Sequence, residues 1–101
     1  MPPSEASAPR QRLDKWLWIA RVVKTREDAA QLVESGRVRI NGQKTVKPGH
    51  GVKGGDVLTI VLNSRVRVLR IAGFAERRGS PQQALGLYSE AGMSAPEGGT
   101  P

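Results

Sequence analysis

At Gly36 the spacing of apolar residues in this chain changes, and that change limits the folds open to it. Before Gly36, large apolar side chains recur every three or four positions; after it they alternate with polar ones. The first spacing marks a helix with one buried face, the second a half-buried strand. A short chain carrying both in this order must lay helices on a sheet.

The helical part divides in two. Leu13, Trp16, Leu17, Ile19, Ala20 and Val23 share one face at 100° per residue, so the spacing predicts a helix over Leu13–Val23. Asp14, Lys15 and Arg21 fall on the polar side; Trp18 and Val22, one turn apart, break the pattern by sitting on that charged side. Trp16 reads as core, and Trp18 as packed beneath a C-terminal segment containing Leu85, Leu87 or Tyr88. Thr25 is an N-cap, with Asp28 placed to complete a capping box. A second helix then runs to about Ser35, burying Ala29, Leu32 and Val33, and Gly36 supplies the left-handed residue after it. Together these make an αα-hairpin.

From Arg37 the pattern is that of strands. Arg37–Ile40 alternates, Asn41-Gly42 is a type I′ hairpin turn, and Thr45-Val46 returns. Lys47–Gly55 reads as a loop, Asp56–Leu62 as a strand, Asn63-Ser64 as a turn and Arg65–Phe74 as a further strand. Ser80-Pro81-Gln82-Gln83 has the marks of a helix start, with the helix reaching about Tyr88. The expected fold class is α+β: an αα-hairpin packed on a small, mainly antiparallel sheet, with a short C-terminal helix.

The length of 101 residues allows one domain. Residues 1–9 and 89–101 are dominated by Pro, Gly, Ser and Ala and are expected to be disordered tails, leaving a folded domain over 10–88. All 16 Lys and Arg lie between Arg10 and Arg78, against six acids in that span, a local net charge of +10 in a chain of +7. Such a field favours a polyanionic partner. With no cysteine and one histidine, no metal site is expected. No membrane partner, cofactor or small-molecule substrate is expected either, and the location is read as cytoplasmic.

Catalysis finds little to build on. His50 stands between glycines, a poor place to hold a general base against a nucleophile. Gly49-His50-Gly51-Val52-Lys53-Gly54 spells the GxGxxG of dinucleotide folds, but that fingerprint needs a strand before it and a helix after it, whereas a strand follows here. The chain is read as a non-enzyme.

What remains is cationic. Arg12, Lys15, Arg21, Lys24 and Arg26 fall on the polar side and the link of the hairpin. Arg37, Arg39 and Lys44 follow where the sheet begins, and Lys53 sits at the tip of the loop. The second helix turns unpaired N–H groups outward beside Lys24, Thr25 and Arg26, a setting that suits phosphate, although Glu27 and Asp28 compete for it.

Arg12-Leu13-Asp14 with Leu17, then Thr25-Arg26, Ala29, Leu32-Val33, Gly36, Val38 and Ile40-Asn41-Gly42, then Val52, Gly54-Gly55-Asp56 and Leu58, resembles the S-four RNA-binding domain over roughly residues 10–62. Asp14-Lys15-Trp16-Leu17-Trp18 with Arg21, and later Arg77-Arg78-Gly79 with Ala84-Leu85, Leu87 and Tyr88, is similar to the bacterial heat-shock protein 15 family. That resemblance implies a stress-linked, ribosome-associated protein that binds the large subunit when a nascent chain is stranded on its tRNA. It implies an RNA surface of Arg12, Lys15, Arg21, Lys24, Thr25, Arg26, Arg37 and the Asn41-Gly42 turn. Larger members continue into a basic C-terminal extension, where this chain has a neutral-to-acidic tail. The expected partners are structured RNA, chiefly large-subunit ribosomal RNA, together with tRNA, and the expected state is a monomer. Two alternatives compete: an RNA-targeting partner of a separate rRNA-modifying enzyme, and a general nucleic-acid binder.

Overall fold

A computed structural model describes residues 10–63 and 65–91. The expectations for residues 1–9, for Ser64 and for the tail beyond Ala91 lie outside the described residues. The chain runs β1 (Arg10–Arg12), α1 (Leu13–Ile19), α2 (Arg26–Glu34), β2 (Val38–Ile40), β3 (Gln43–Thr45), β4 (Gly51–Lys53), β5 (Val57–Leu62), β6 (Arg65–Ile71), α3 (Pro81–Leu85) and β7 (Tyr88–Glu90). Five strands form one antiparallel sheet in the order β3-β2-β5-β6-β7, and β1 pairs with β4 in a separate ribbon. No helix among the described residues is long and apolar enough to cross a membrane.

The α+β architecture follows from one shared core. Leu13, Trp16 and Leu17 of α1, Ala29 and Val33 of α2, and Val38, Leu58, Ile60 and Leu69 of the sheet are all fully buried and belong to one cluster. Each large side chain so buried contributes about 1.5–3 kcal/mol. Trp16 is pinned further: its indole N–H donates to the Gly73 carbonyl at 3.0 Å, and Tyr88 meets it edge-on with ring centres 6.2 Å apart.

Helix α1 stops at Ile19, short of the expected Val23, because Arg21 takes a left-handed φ of 62°. The Val22 N–H then bonds the Leu17 carbonyl and the Arg21 N–H bonds that of Trp18, which closes the helix end. Helix α2 ends in the same way at Gly36, with φ of 79° and bonds from Gly36 to Val33 and from Arg37 to Leu32. Glycine advertises such a stop, and arginine hides it. Thr25 caps α2 as expected, its hydroxyl accepting from the Asp28 N–H at 2.9 Å, but no reciprocal bond from Asp28 completes a capping box.

Other boundaries also move. Gly51–Lys53, expected within a loop, is β4, and Arg10–Arg12 pairs with it. Only Val52 of that loop turns inward, so no alternation was there to be seen. Strand β6 ends at Ile71 instead of Phe74. The terminal helix ends at Leu85, and Tyr88–Glu90 is a strand on β6, so order continues past residue 88 to the sheet edge. The capping box of α3 forms as its sequence predicts, between Ser80 and Gln83. Trp18 is half-buried, as expected of a packed residue, and the guanidinium of Arg78 lies over its ring, 5.9 Å from the centre; of the expected partners Leu85, Leu87 and Tyr88, Leu85 is exposed.

Candidate nucleic-acid interface

Asp14 was expected on the polar face of its helix, yet it is buried. Its two carboxylate oxygens accept a fork from Arg12, with both bonds at 3.1 Å, and one of them also accepts the Lys15 N–H at 2.7 Å. Arg26 of α2 approaches the same group at 3.7 Å. Burial alone would raise the pKa of Asp14. The Arg12 bond, the Lys15 N–H and the charges of Arg12 and Arg26 together outweigh burial and hold the carboxyl below its ordinary range. One buried anion thus orients two arginines, one at the start of each helix.

The predicted site residues fall into three groups. Lys24, Thr25, Arg26 and Arg37 gather around the hairpin link and the ends of α2. All four are exposed, and Lys24 and Arg37 line a hollow shared with Asp28 and Asn63. Among the described residues neither Lys24 nor Arg37 has an ion-pair partner. Arg39 and Lys44 face each other across β2 and β3, on the side of the sheet opposite buried Val38 and Ile40. The aliphatic stem of Lys44 crosses Gly36, where an added methyl would meet it at 2.5 Å. These two cations adjoin the hairpin surface without belonging to it.

The third group is already engaged within the protein. Arg12 is held by Asp14, and Lys15 lies 3.6 Å from Glu76. Arg21 donates twice to the Gly79 carbonyl, at 3.0 and 2.7 Å, while Arg78 returns bonds to the carbonyls of Trp18 and Val23. These reciprocal contacts clamp the segment after β6 onto the end of α1. Lys53 pairs with buried Asp56, which also accepts from Asn41. Burial would raise Asp56, but the Lys53 N–H, the Asn41 amide and the Lys53 ammonium outweigh it and leave its pKa lowered. Asn41 has φ of 53° and Gly42 of 86°, as a type I′ turn requires, and the Asn41 side-chain oxygen accepts the Val57 N–H. The turn is thus fastened to the start of β5. The structural roles of Asp14, Asp56 and Arg78 escape sequence reading because each depends on a partner brought in by tertiary packing.

A basic helix hairpin seated on a small antiparallel sheet is the architecture of an S4-type RNA-binding module, and the S4 domain family model matches residues 11–58. Over 90 residues the chain is 39% identical to the heat shock protein 15 homolog of Aeromonas salmonicida, covering 89% of this chain and 67% of that protein. It is 37% identical over 82 residues to the RQC P-site tRNA stabilizing factor of Listeria innocua, covering 81% of this chain and 87% of that one. The trimeric structure of Vibrio cholerae heat shock protein 15 superposes with a TM-score of 0.77 at 37% identity, covering 82% of this chain and 83% of the other. The chain belongs to the heat shock protein 15 family of S4-domain proteins.

Proposed function

We propose that this protein is a non-catalytic, cytoplasmic binder of structured RNA that acts on the large ribosomal subunit when a stalled ribosome retains its nascent chain on tRNA. The observation that carries the reading is the exposed basic surface of the helix hairpin, where Lys24 and Arg37 line one hollow along α2 and Arg26, at the capped start of that helix, lies 3.7 Å from the buried Asp14 carboxylate. Arg26, oriented by Asp14, can meet a phosphate with little further ordering, and Lys24 and Arg37 have no carboxylate paired with them among the described residues. The Listeria relative, whose name describes a factor stabilising a P-site tRNA, supports the rescue role.

Sedimentation of cell extracts tests it. The protein should travel with free large subunits and should accumulate there when translation is made to stall. Migration with small subunits alone, or at the top of the gradient under both conditions, would contradict the proposal. Co-sedimentation with immature particles only would favour a partner of an rRNA-modifying enzyme.

A further inference from the structure

A second basic hollow of about 540 Å³ lies beside the β2–β3 hairpin, where the β1–β4 ribbon faces it. Arg10, Gln43, Lys47, His50 and Lys53 line it. Its one acid, Asp56, is buried and satisfied by Asn41 and Lys53, so it presents little uncompensated negative charge. Arg10, Lys47 and His50 are exposed and form no ion pair among the described residues.

The backbone beneath them is fixed. The His50 carbonyl accepts the Leu13 N–H at 2.9 Å, the Pro48 carbonyl accepts the Asp14 N–H at 3.0 Å, and the His50 N–H donates to Lys47 at 3.0 Å. Arg10 is held in register opposite Lys53. The bonds to the His50 and Pro48 carbonyls also satisfy the first two N–H groups of α1, whose N-cap residue Arg12 offers no side-chain cap. The loop therefore serves as a platform, with a guanidinium fork, an ammonium and an imidazole N–H set around one opening. All three are phosphate donors.

We infer that this hollow seats a backbone phosphodiester of the bound RNA, a contact separate from the Lys24–Arg37 hollow. The inference rests on the RNA-binding reading and extends it to Arg10, Lys47 and His50.

His50 is the only histidine, so its ring signals in an NMR spectrum report on this one place. Titration with a ribosomal RNA stem-loop should shift those signals to saturation, and inorganic phosphate at matched ionic strength should move them far less. Arg10→Gln/Lys47→Gln should bind the stem-loop on the order of tenfold more weakly, with a salt slope lower by about two. The charge-matched Arg70→Gln/Arg77→Gln, with both changes on exposed side chains outside the hollow, should keep the wild-type slope. A ring signal unmoved while the amides of Lys24 and Arg37 shift would overturn this inference and leave the RNA reading standing. An equal response to phosphate alone would overturn the backbone assignment in favour of a free-anion site. No shift anywhere in the protein would refute the RNA reading itself, and this inference with it.

Discussion

Cations that look alike in the sequence do different work here, and single substitutions should separate them. Lys24 is exposed without an ion-pair partner among the described residues, so Lys24→Ala should weaken RNA binding while changing stability by less than ~0.5 kcal/mol. Arg21 donates two bonds to the Gly79 carbonyl, so Arg21→Ala should cost about 1 kcal/mol and leave RNA affinity intact well below the melting temperature. Paired melting curves and binding isotherms check both; equal losses of affinity would return Arg21 to the RNA surface. Asp14 adds a pH signature. Its folded pKa lies below the ordinary 3.8, so its stabilisation is fully present above that value and is lost as pH falls through the lower folded one. Asp14→Asn should cost about 1–2 kcal/mol at neutral pH and flatten the fall in stability below about pH 4, as read from urea unfolding across that range.

Among the elements, the β2–β3 turn makes the sharpest demand on its residues. Gly42 has φ of 86° with nothing within 4 Å of an added methyl, so the penalty for Gly42→Val is purely conformational, about 1–3 kcal/mol. Gly54 is equally open and has no left-handed φ, so Gly54→Ala should be neutral in the same thermal melts. A harmless Gly42→Val would contradict the turn. The elements that sequence made legible were those with local signals: the apolar face of α1, the Thr25 and Ser80 caps, the Gly36 stop and the Asn41-Gly42 turn. Elements lacking such signals went unread. The strands β1, β4 and β7 lack the hairpin turn that marks the equally short β2 and β3, and α1 ends on an arginine in a conformation that glycine usually marks. The site was legible as a set of charges but not as a geometry. Spacing places Arg12, Lys15, Arg21 and Lys53 near the surface, while only packing shows that Asp14, Glu76, Gly79 and Asp56 already engage them.

For the whole molecule, the governing quantity is the excess of cations between Arg10 and Arg78, to which the fold gives direction. Part of that charge ties the α1 end to the segment after β6 and Lys53 to Asp56; the rest faces solvent, with Lys24, Arg26 and Arg37 on the helix hairpin and Arg10 and Lys47 beside the β2–β3 turn. Binding driven by the second part must release counterions, so it must weaken steeply with salt. The most direct test is equilibrium binding of a ribosomal RNA stem-loop across a salt series, for the wild type and for Lys24→Ala/Arg37→Ala. With roughly four to six phosphates contacted, wild-type affinity should fall by about a hundredfold to a thousandfold between about 50 and 200 mM salt, and the double variant should show a slope shallower by about two. A flat wild-type titration, or a double variant that follows the wild-type curve, would contradict an RNA surface built on the helix hairpin.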